Sequence, residues 1–100
     1  MTEYPKIKVA AAHVAPVFLD AAATVDKACS LISEAAGAGA KLLAFPESFI
    51  PAFPVWAALQ APIYGHEFFR ALAANALRID GPEIARLRAA ARRHGIVVSI

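Results

Sequence analysis

Short apolar runs alternate along the chain with longer stretches whose apolar residues recur at helical spacing. Residues 7–14 form the first run and are followed by Pro16, which predicts a strand. Residues 42–45 are apolar at every position, as expected of a strand buried between two layers. Residues 96–100 form a third run rich in β-branched side chains, so the pattern predicts three strands.

The stretch between the first two strands predicts a helix. Asp20 is placed to cap it through a side-chain oxygen, and Gly37 and Gly39 are placed to end it. Its apolar stripe consists of Val25, Ala28, Cys29, Ile32, Ala35 and Ala36. Strand, helix and strand with short connections make a βαβ unit, which implies a parallel pair of strands joined by a right-handed crossover.

The second half of the chain begins with a proline-rich segment. Residues 48–65 contain three prolines and are predicted to form a long ordered loop broken by short turns. A second amphipathic helix is predicted from Phe68 to Ala76. A third helix opens at residues 81–83, with proline in its first turn, and Gly95 caps it. Alternating strands and helices without a repeat or linker indicate the α/β class.

Composition favours a piece of a larger core over an independent small domain. Hydrophobic residues make up 59% of the chain and charged residues 18%, although a chain of 100 residues buries a modest share of its surface. The net charge is +2, and the nearest approach to a basic cluster is Arg86, Arg88, Arg92 and Arg93. A nucleic-acid site needs a denser patch with aromatic residues, so these arginines are interpreted as a solvated helix face.

The remaining composition indicates a cytoplasmic protein. A single cysteine excludes an internal disulfide framework and fits a reducing compartment. The first six residues contain no apolar run typical of a signal peptide. The longest uncharged stretch, residues 48–65, is interrupted by prolines and therefore does not predict a membrane span.

Glu47 is the most informative position for chemistry. It follows the fully apolar second strand, and ligands of open α/β sheets bind at the carboxyl ends of the strands. Apolar and rigid neighbours on both sides are expected to desolvate its carboxylate partly, which suits a general acid or base. From position alone, a solvated loop residue or a helix cap is the favoured interpretation.

The residues around Glu47 resemble a known catalytic motif. The run Phe45-Pro46-Glu47-Ser48-Phe49-Ile50-Pro51-Ala52-Phe53-Pro54, with Trp56, is similar to the first catalytic motif of the nitrilase superfamily, in its nitrilase branch. Residues 9–12, 15–20, 38–45, 81–83 and 94–98 resemble the same branch in order and spacing. The resemblance implies the N-terminal part of an α-β-β-α sandwich. Residues 1–100 would then be the N-terminal portion of a single carbon–nitrogen hydrolase domain that continues beyond Ile100.

The resemblance also implies roles for individual residues. Glu47 matches the glutamate of a Glu-Lys-Cys catalytic set, in which it deprotonates the cysteine. Phe53 and Trp56 are expected to border the substrate pocket. The alternative is that both, together with Phe49, hold the loop against the core. Cys29 precedes Glu47 on a helical apolar stripe and is interpreted as a small core residue. Lys6, Lys8, Lys27 and Lys41 do not match the lysine motif. The chain alone is therefore expected to be inactive.

The implied activity is hydrolysis of an organic nitrile to a carboxylic acid and ammonia. An amidase, a carbamoylase or a cyanide hydratase of the same superfamily is the main alternative, and a noncatalytic α/β interaction module is another. His13, His66 and His94 are too scattered to predict a metal site, and no cofactor is expected. The resemblance implies a homo-oligomer, with neither nucleic acid nor membrane as a partner.

Overall fold

A computed structural model describes residues 3–100, which contain three strands and four helices. The strands are β1 (Val9–Ala11), β2 (Leu42–Ala44) and β3 (Val97–Ser99). The helices are α1 (Ala21–Gly37), α2 (Trp56–Leu59), α3 (His66–Ala74) and α4 (Pro82–His94), with a 3-10 turn at Pro62–Tyr64. This order confirms the α/β class and the short turns predicted within residues 48–65.

The three strands form a parallel sheet in which β2 is central. The order is β1-β2-β3, and Leu43 of β2 lies opposite Ala10 on one side and Val98 on the other. Both pairings are parallel, as the strand–helix–strand pattern predicts. The carboxyl ends of all three strands therefore lie at one edge of the sheet.

The ordered strands are shorter than the apolar runs that predicted them. Residues 7–14 contribute only Val9–Ala11 to the ladder, which closes with a 2.8 Å hydrogen bond from the Ala12 N–H to the Ala44 carbonyl. Soon afterwards β2 meets Pro46, which has no N–H to donate. The outer strands can pair only along the short central strand, so β2 limits the length of the whole sheet.

Helix α1 begins where its capping residue predicts. The Asp20 side chain accepts a 3.0 Å hydrogen bond from the Ala23 N–H, which satisfies one of the free amides of the first turn. Thr24 is fully buried, and its hydroxyl accepts a 3.1 Å hydrogen bond from the Val17 N–H. The helix ends at Gly37, and Gly39 adopts a φ of 91° that an L side chain would disfavour. The predicted start and end of α1 are confirmed.

Helices α1 and α4 pack against each other and against the same face of the sheet. Their contact surfaces form one apolar core with β2. Its buried members are Val25, Ala28, Ile32, Ala40, Leu43, Leu87 and Ile96. Because apolar burial is the main favourable contribution to folding, this cluster holds the strand that leads to Glu47.

The opposite face of the sheet is open in this chain. Val9 remains 58% exposed and Val97 66% exposed, and both are apolar strand residues. Parallel sheets normally have both faces covered. This open face is where the second sheet of the predicted α-β-β-α sandwich would pack. Within residues 3–100, no helix combines the length and apolar character needed to cross a bilayer.

Candidate functional site

Glu47 lies just beyond the carboxyl end of the central strand. The chain leaves β2 at Ala44, and the Phe45 N–H then donates a 2.8 Å hydrogen bond to the Ser99 carbonyl at the end of β3. Pro46 follows with a restricted φ, and Glu47 and Ser48 form a turn. The carboxylate is thus carried by a short segment anchored to the sheet edge at which α/β proteins bind ligands.

Two aromatic side chains flank this turn in the sequence and stack on each other. The rings of Phe45 and Phe49 stack with centroids 5.0 Å apart and an interplanar angle of 24°. Phe49 is 2% exposed, whereas Ser48 is exposed and has a φ of 51°. Ser48 has no role predicted from the sequence, whereas the burial of Phe49 agrees with the alternative that it holds the loop against the core. The spacing of two phenylalanines on either side of Glu47 was the available signal, because such a pair can meet across a tight turn.

Glu47 itself is exposed among the described residues. The partial desolvation predicted from its apolar neighbours is therefore not found in this chain, because Phe49 is turned into the core and Pro46 is itself exposed. A carboxylate with this exposure can accept a proton from a group brought next to it. Its proposed catalytic role therefore depends on the turn that holds it.

Trp56 is buried in an aromatic cluster on the loop that follows Glu47. It stacks on Phe68 at 5.2 Å and makes edge contacts with Phe18 at 5.9 Å and with Phe69 at 5.4 Å. Its side chain is 4% exposed, and its Nε1 atom has no hydrogen-bond acceptor within residues 3–100. The cluster fastens the loop to α3, which agrees with the alternative interpretation of this tryptophan.

Phe53 is arranged differently from Trp56. Phe53 is 51% exposed and lies on the same segment as Glu47, so about half of its surface is accessible to an apolar ligand. The substrate-binding roles of Phe53 and Trp56 remain predictions. Of the two, Phe53 has the greater accessible surface.

Cys29, Lys8 and Lys27 make contacts that stabilise the fold. Cys29 is half-buried on α1 and packs against the core cluster, as its position on the apolar stripe predicts. The Lys8 ammonium donates a 2.9 Å hydrogen bond to the Ala38 carbonyl, and the Lys27 ammonium donates one of 2.6 Å to the Ala15 carbonyl. These contacts fasten loops to α1, so neither lysine is positioned as a partner of Glu47.

An open groove of about 610 Å³ lies between α1 and α4, away from Glu47. Its polar lining includes Arg86 and Arg93. Arg86 forms a 2.6 Å ion pair with Asp26, and this hydrogen bond raises the pKa of the Arg86 guanidinium above its already high ordinary value. The four arginines of α4 are exposed, as predicted for a solvated helix face. The groove has no carboxylate lining and does not include the turn of Glu47.

Within residues 3–100, no three histidine, cysteine, aspartate or glutamate side chains approach closely enough to hold a metal ion together. His94 lies in the last turn of α4, where a cation interacts favourably with the helix dipole. The expectation that the protein needs no metal or cofactor stays a prediction.

Comparison with known proteins identifies the fold's relatives. The family model described as carbon-nitrogen hydrolase matches residues 8–100. A nitrilase from Bacillus sp. (strain OxB-1) is 44% identical over 90 residues, which are 90% of this chain and 26% of that protein. An arylacetonitrilase from Hypocrea virens is 44% identical over 94% of this chain and 28% of its own length. An aliphatic nitrilase from Rhodococcus rhodochrous is 45% identical over 100% of this chain and 28% of its own length. The chain thus spans about a quarter of the length of these relatives.

Proposed function

The chain belongs to the carbon–nitrogen hydrolase family, and on that basis we propose that the full-length protein hydrolyses an organic nitrile to a carboxylic acid and ammonia. The observation that carries the proposal is Glu47, held beyond the carboxyl end of the central strand in a motif similar to that of nitrilases. The relatives named as nitrilases support the nitrile as substrate. The rest of the catalytic set would come from sequence outside these 100 residues.

In the proposed mechanism, Glu47 acts as the general base. It removes the proton from a cysteine thiol, and the sulfur attacks the nitrile carbon to form a covalent thioimidate. Water adds to the thioimidate and ammonia leaves, which produces a thioester. A second water hydrolyses the thioester, releases the carboxylic acid and restores the thiol. A lysine stabilises the charge that develops on the substrate nitrogen and at the tetrahedral centres.

The substrate class depends on the pocket around the loop after Glu47. The exposed ring of Phe53 supports an aromatic or arylaliphatic nitrile, because a ring face contributes apolar contact area. The similar proteins include both an arylacetonitrilase and an aliphatic nitrilase. The Phe53 ring is therefore the feature that supports an aromatic nitrile.

Product analysis with the purified full-length protein tests this function. Benzonitrile, phenylacetonitrile and pentanenitrile are incubated separately, and acid, amide and ammonia are quantified over time. The proposal predicts acid and ammonia in equal amounts from at least one nitrile. Amide as the dominant product would instead identify a hydratase. Hydrolysis of amides or carbamoyl compounds without turnover of any nitrile would identify an amidase or a carbamoylase, and no turnover of either class would favour a noncatalytic module.

A further inference from the structure

Glu47 is oriented by its backbone and not by contacts of its own side chain. Among residues 3–100 its carboxylate takes part in no hydrogen bond or ion pair, and the residue is exposed. A general base must nevertheless lie within hydrogen-bonding reach of the proton it removes, because small displacements of reacting groups lower rates steeply. The structure that holds the backbone of Glu47 therefore determines where its carboxylate can go.

The chain before Glu47 is held by both neighbouring strands. The Ala44 carbonyl accepts a hydrogen bond from the Ala12 N–H, and the Phe45 N–H donates one to the Ser99 carbonyl, each 2.8 Å long. Pro46 then limits the backbone to a narrow range of φ. Only one residue thus separates Glu47 from backbone that is hydrogen-bonded on both sides.

The chain after Glu47 is held by a buried ring. Phe49 is 2% exposed, and its ring stacks on that of Phe45 with centroids 5.0 Å apart. Phe45 and Phe49, the two ends of the segment that carries Glu47, are therefore in direct contact through their stacked rings. A shift of this segment would have to break the stack or pull Phe49 out of the core.

Ser48 completes the turn in a conformation that side chains disfavour. Its φ of 51° lies in the left-handed region, which few residues other than glycine, asparagine and aspartate adopt readily. The Ser48 side chain is exposed, so no buried contact of its own accounts for this conformation. This left-handed residue lies between the two stacked phenylalanines, so its φ helps to determine the path of the backbone that carries Glu47.

We propose that left-handed Ser48 and the stacked Phe45–Phe49 pair are a positioning device for the Glu47 carboxylate. This inference rests on the proposed role of Glu47 as the general base. It adds three positioning residues, Phe45, Ser48 and Phe49, which act through the backbone of Glu47 and not on the reacting atoms. Ser48 acts through the backbone φ that it adopts, and its hydroxyl plays no part.

Substitutions at Ser48 test the proposal without disturbing the core, because the side chain is exposed. Kinetics of full-length Ser48→Asn, Ser48→Ala and Ser48→Val are measured with whichever of benzonitrile, phenylacetonitrile and pentanenitrile turns over fastest. Asparagine tolerates the left-handed region, alanine tolerates it less, and a β-branched valine tolerates it least. We expect kcat to follow the same order. Asparagine should stay within about twofold of serine, and valine should fall at least about tenfold with KM little changed.

Two results would overturn the positioning role of Ser48. Equal losses in Ser48→Asn, Ser48→Ala and Ser48→Val would show that the hydroxyl is what matters, and unchanged kcat in all three would show that the conformation is not needed. Phe49→Leu, which removes the ring but keeps an apolar side chain, should also lower kcat more than it raises KM. If Phe49→Leu folds and keeps full kcat, the stacked pair has no positioning role. If Phe49→Leu does not fold, the kcat values of the three Ser48 variants decide whether the positioning device exists.

Glu47→Gln, assayed beside these variants, separates this inference from the function on which it rests. An inactive Glu47→Gln together with a fully active Ser48→Val would reject the positioning device and leave the base intact. A fully active Glu47→Gln would reject the base itself, whatever the Ser48 variants do.

Discussion

The Asn75 side chain joins the end of helix α3 to the beginning of helix α1. Its Oδ1 accepts a 3.0 Å hydrogen bond from the Ala21 N–H, and its Nδ2 donates a 3.0 Å hydrogen bond to the Ala71 carbonyl. The first amides of a helix have no acceptor within the helix, so Asn75 satisfies one that would otherwise be free. This contact ties the segment between β2 and α4, which includes the loop after Glu47, to the helix that forms the core.

Asn75→Ala is expected to lower the free energy of unfolding of the full-length protein by about 1–2 kcal/mol. The loss arises because the Ala21 N–H lies at a buried residue and would be left without an acceptor. Urea denaturation measures the change. Arg70→Ala on the same helix is the matched control, because the Arg70 side chain is 78% exposed and its ion pair with Glu67 is long at 3.8 Å. Losses of equal size in the two variants would contradict the bridging role of Asn75.

Gly95 and Gly37 provide a matched pair for testing the end of α4. Gly95 has a φ of 63°, whereas Gly37 is the last residue of α1 and has an ordinary negative φ. A Cβ atom added at either position would meet no other atom within 4 Å. Gly95→Ala should therefore destabilise the protein by about 1–2 kcal/mol through backbone strain alone. Gly37→Ala should be neutral or stabilising by up to about 1 kcal/mol. Thermal unfolding of both variants measures whether the two substitutions change stability in opposite directions. A Gly95→Ala variant as stable as Gly37→Ala would refute the role of the left-handed conformation at Gly95.

The features of the fold that can be predicted from the sequence are those determined by residues close together in the chain. The apolar stripe of α1, the Asp20 cap and the left-handed Gly95 each depend on residues close together in the sequence, and all three are confirmed. Helix α3 ends at Ala74, two residues before the predicted Ala76. The reason is not local, because the Asn75 side chain turns to Ala21, 54 residues away in the chain.

In the candidate site, too, local features can be predicted from the sequence, whereas features that depend on packing cannot. The motif around Glu47 and its place after a buried strand can be inferred from sequence, because both are local. The stack of Phe45 on Phe49 and the left-handed Ser48 depend on how the turn packs, which no periodicity encodes. The expected desolvation of Glu47 was wrong for this chain, because a proline neighbour and a phenylalanine neighbour need not face the carboxylate. Trp56 was assigned to a pocket by resemblance, but its packing partners on α3 become visible only in the structure.

Asp80 makes the stability of the loop before α4 dependent on pH. The Arg78 guanidinium donates hydrogen bonds of 3.1 Å and 3.4 Å to its carboxylate, and this pairing lowers the pKa of Asp80 from its ordinary value of 3.8. A carboxyl whose pKa is lower in the folded state stabilises the protein above its unfolded pKa, and this contribution is lost as the pH falls through the folded pKa. The contribution is small, because both side chains are exposed to solvent.

Asp80→Asn should consequently reduce the melting temperature slightly at neutral pH, and the difference from the natural sequence should shrink below about pH 4. Melting curves of the full-length protein across this pH range measure it. Arg78→Gln, which removes the partner instead, should show the same narrowing. A difference that stays constant from neutral to acidic pH would mean that ionisation of Asp80 is not its cause.

Phe53 is expected to favour aromatic nitriles. In Phe53→Leu, kcat/KM for phenylacetonitrile should fall about tenfold more than kcat/KM for pentanenitrile, because leucine keeps apolar volume but cannot stack against a ring. Leu59→Ala is the control. Leu59 is 80% exposed on the neighbouring helix α2, and the proposed substrate pocket does not include it. Parallel losses for both nitriles in Phe53→Leu would show that its ring does not select the substrate.

The most direct test of the catalytic account is the rate of nitrile turnover by full-length Glu47→Gln. Glutamine keeps the size of the side chain, and Glu47 is exposed, so the substitution removes no core contact. A melting temperature equal to that of the natural sequence verifies that the variant is folded. With the nitrile that the natural sequence hydrolyses fastest, kcat should fall by about 10²- to 10⁴-fold, the usual contribution of a general base. Turnover within a few-fold of the natural sequence would contradict the assignment of Glu47 as the base.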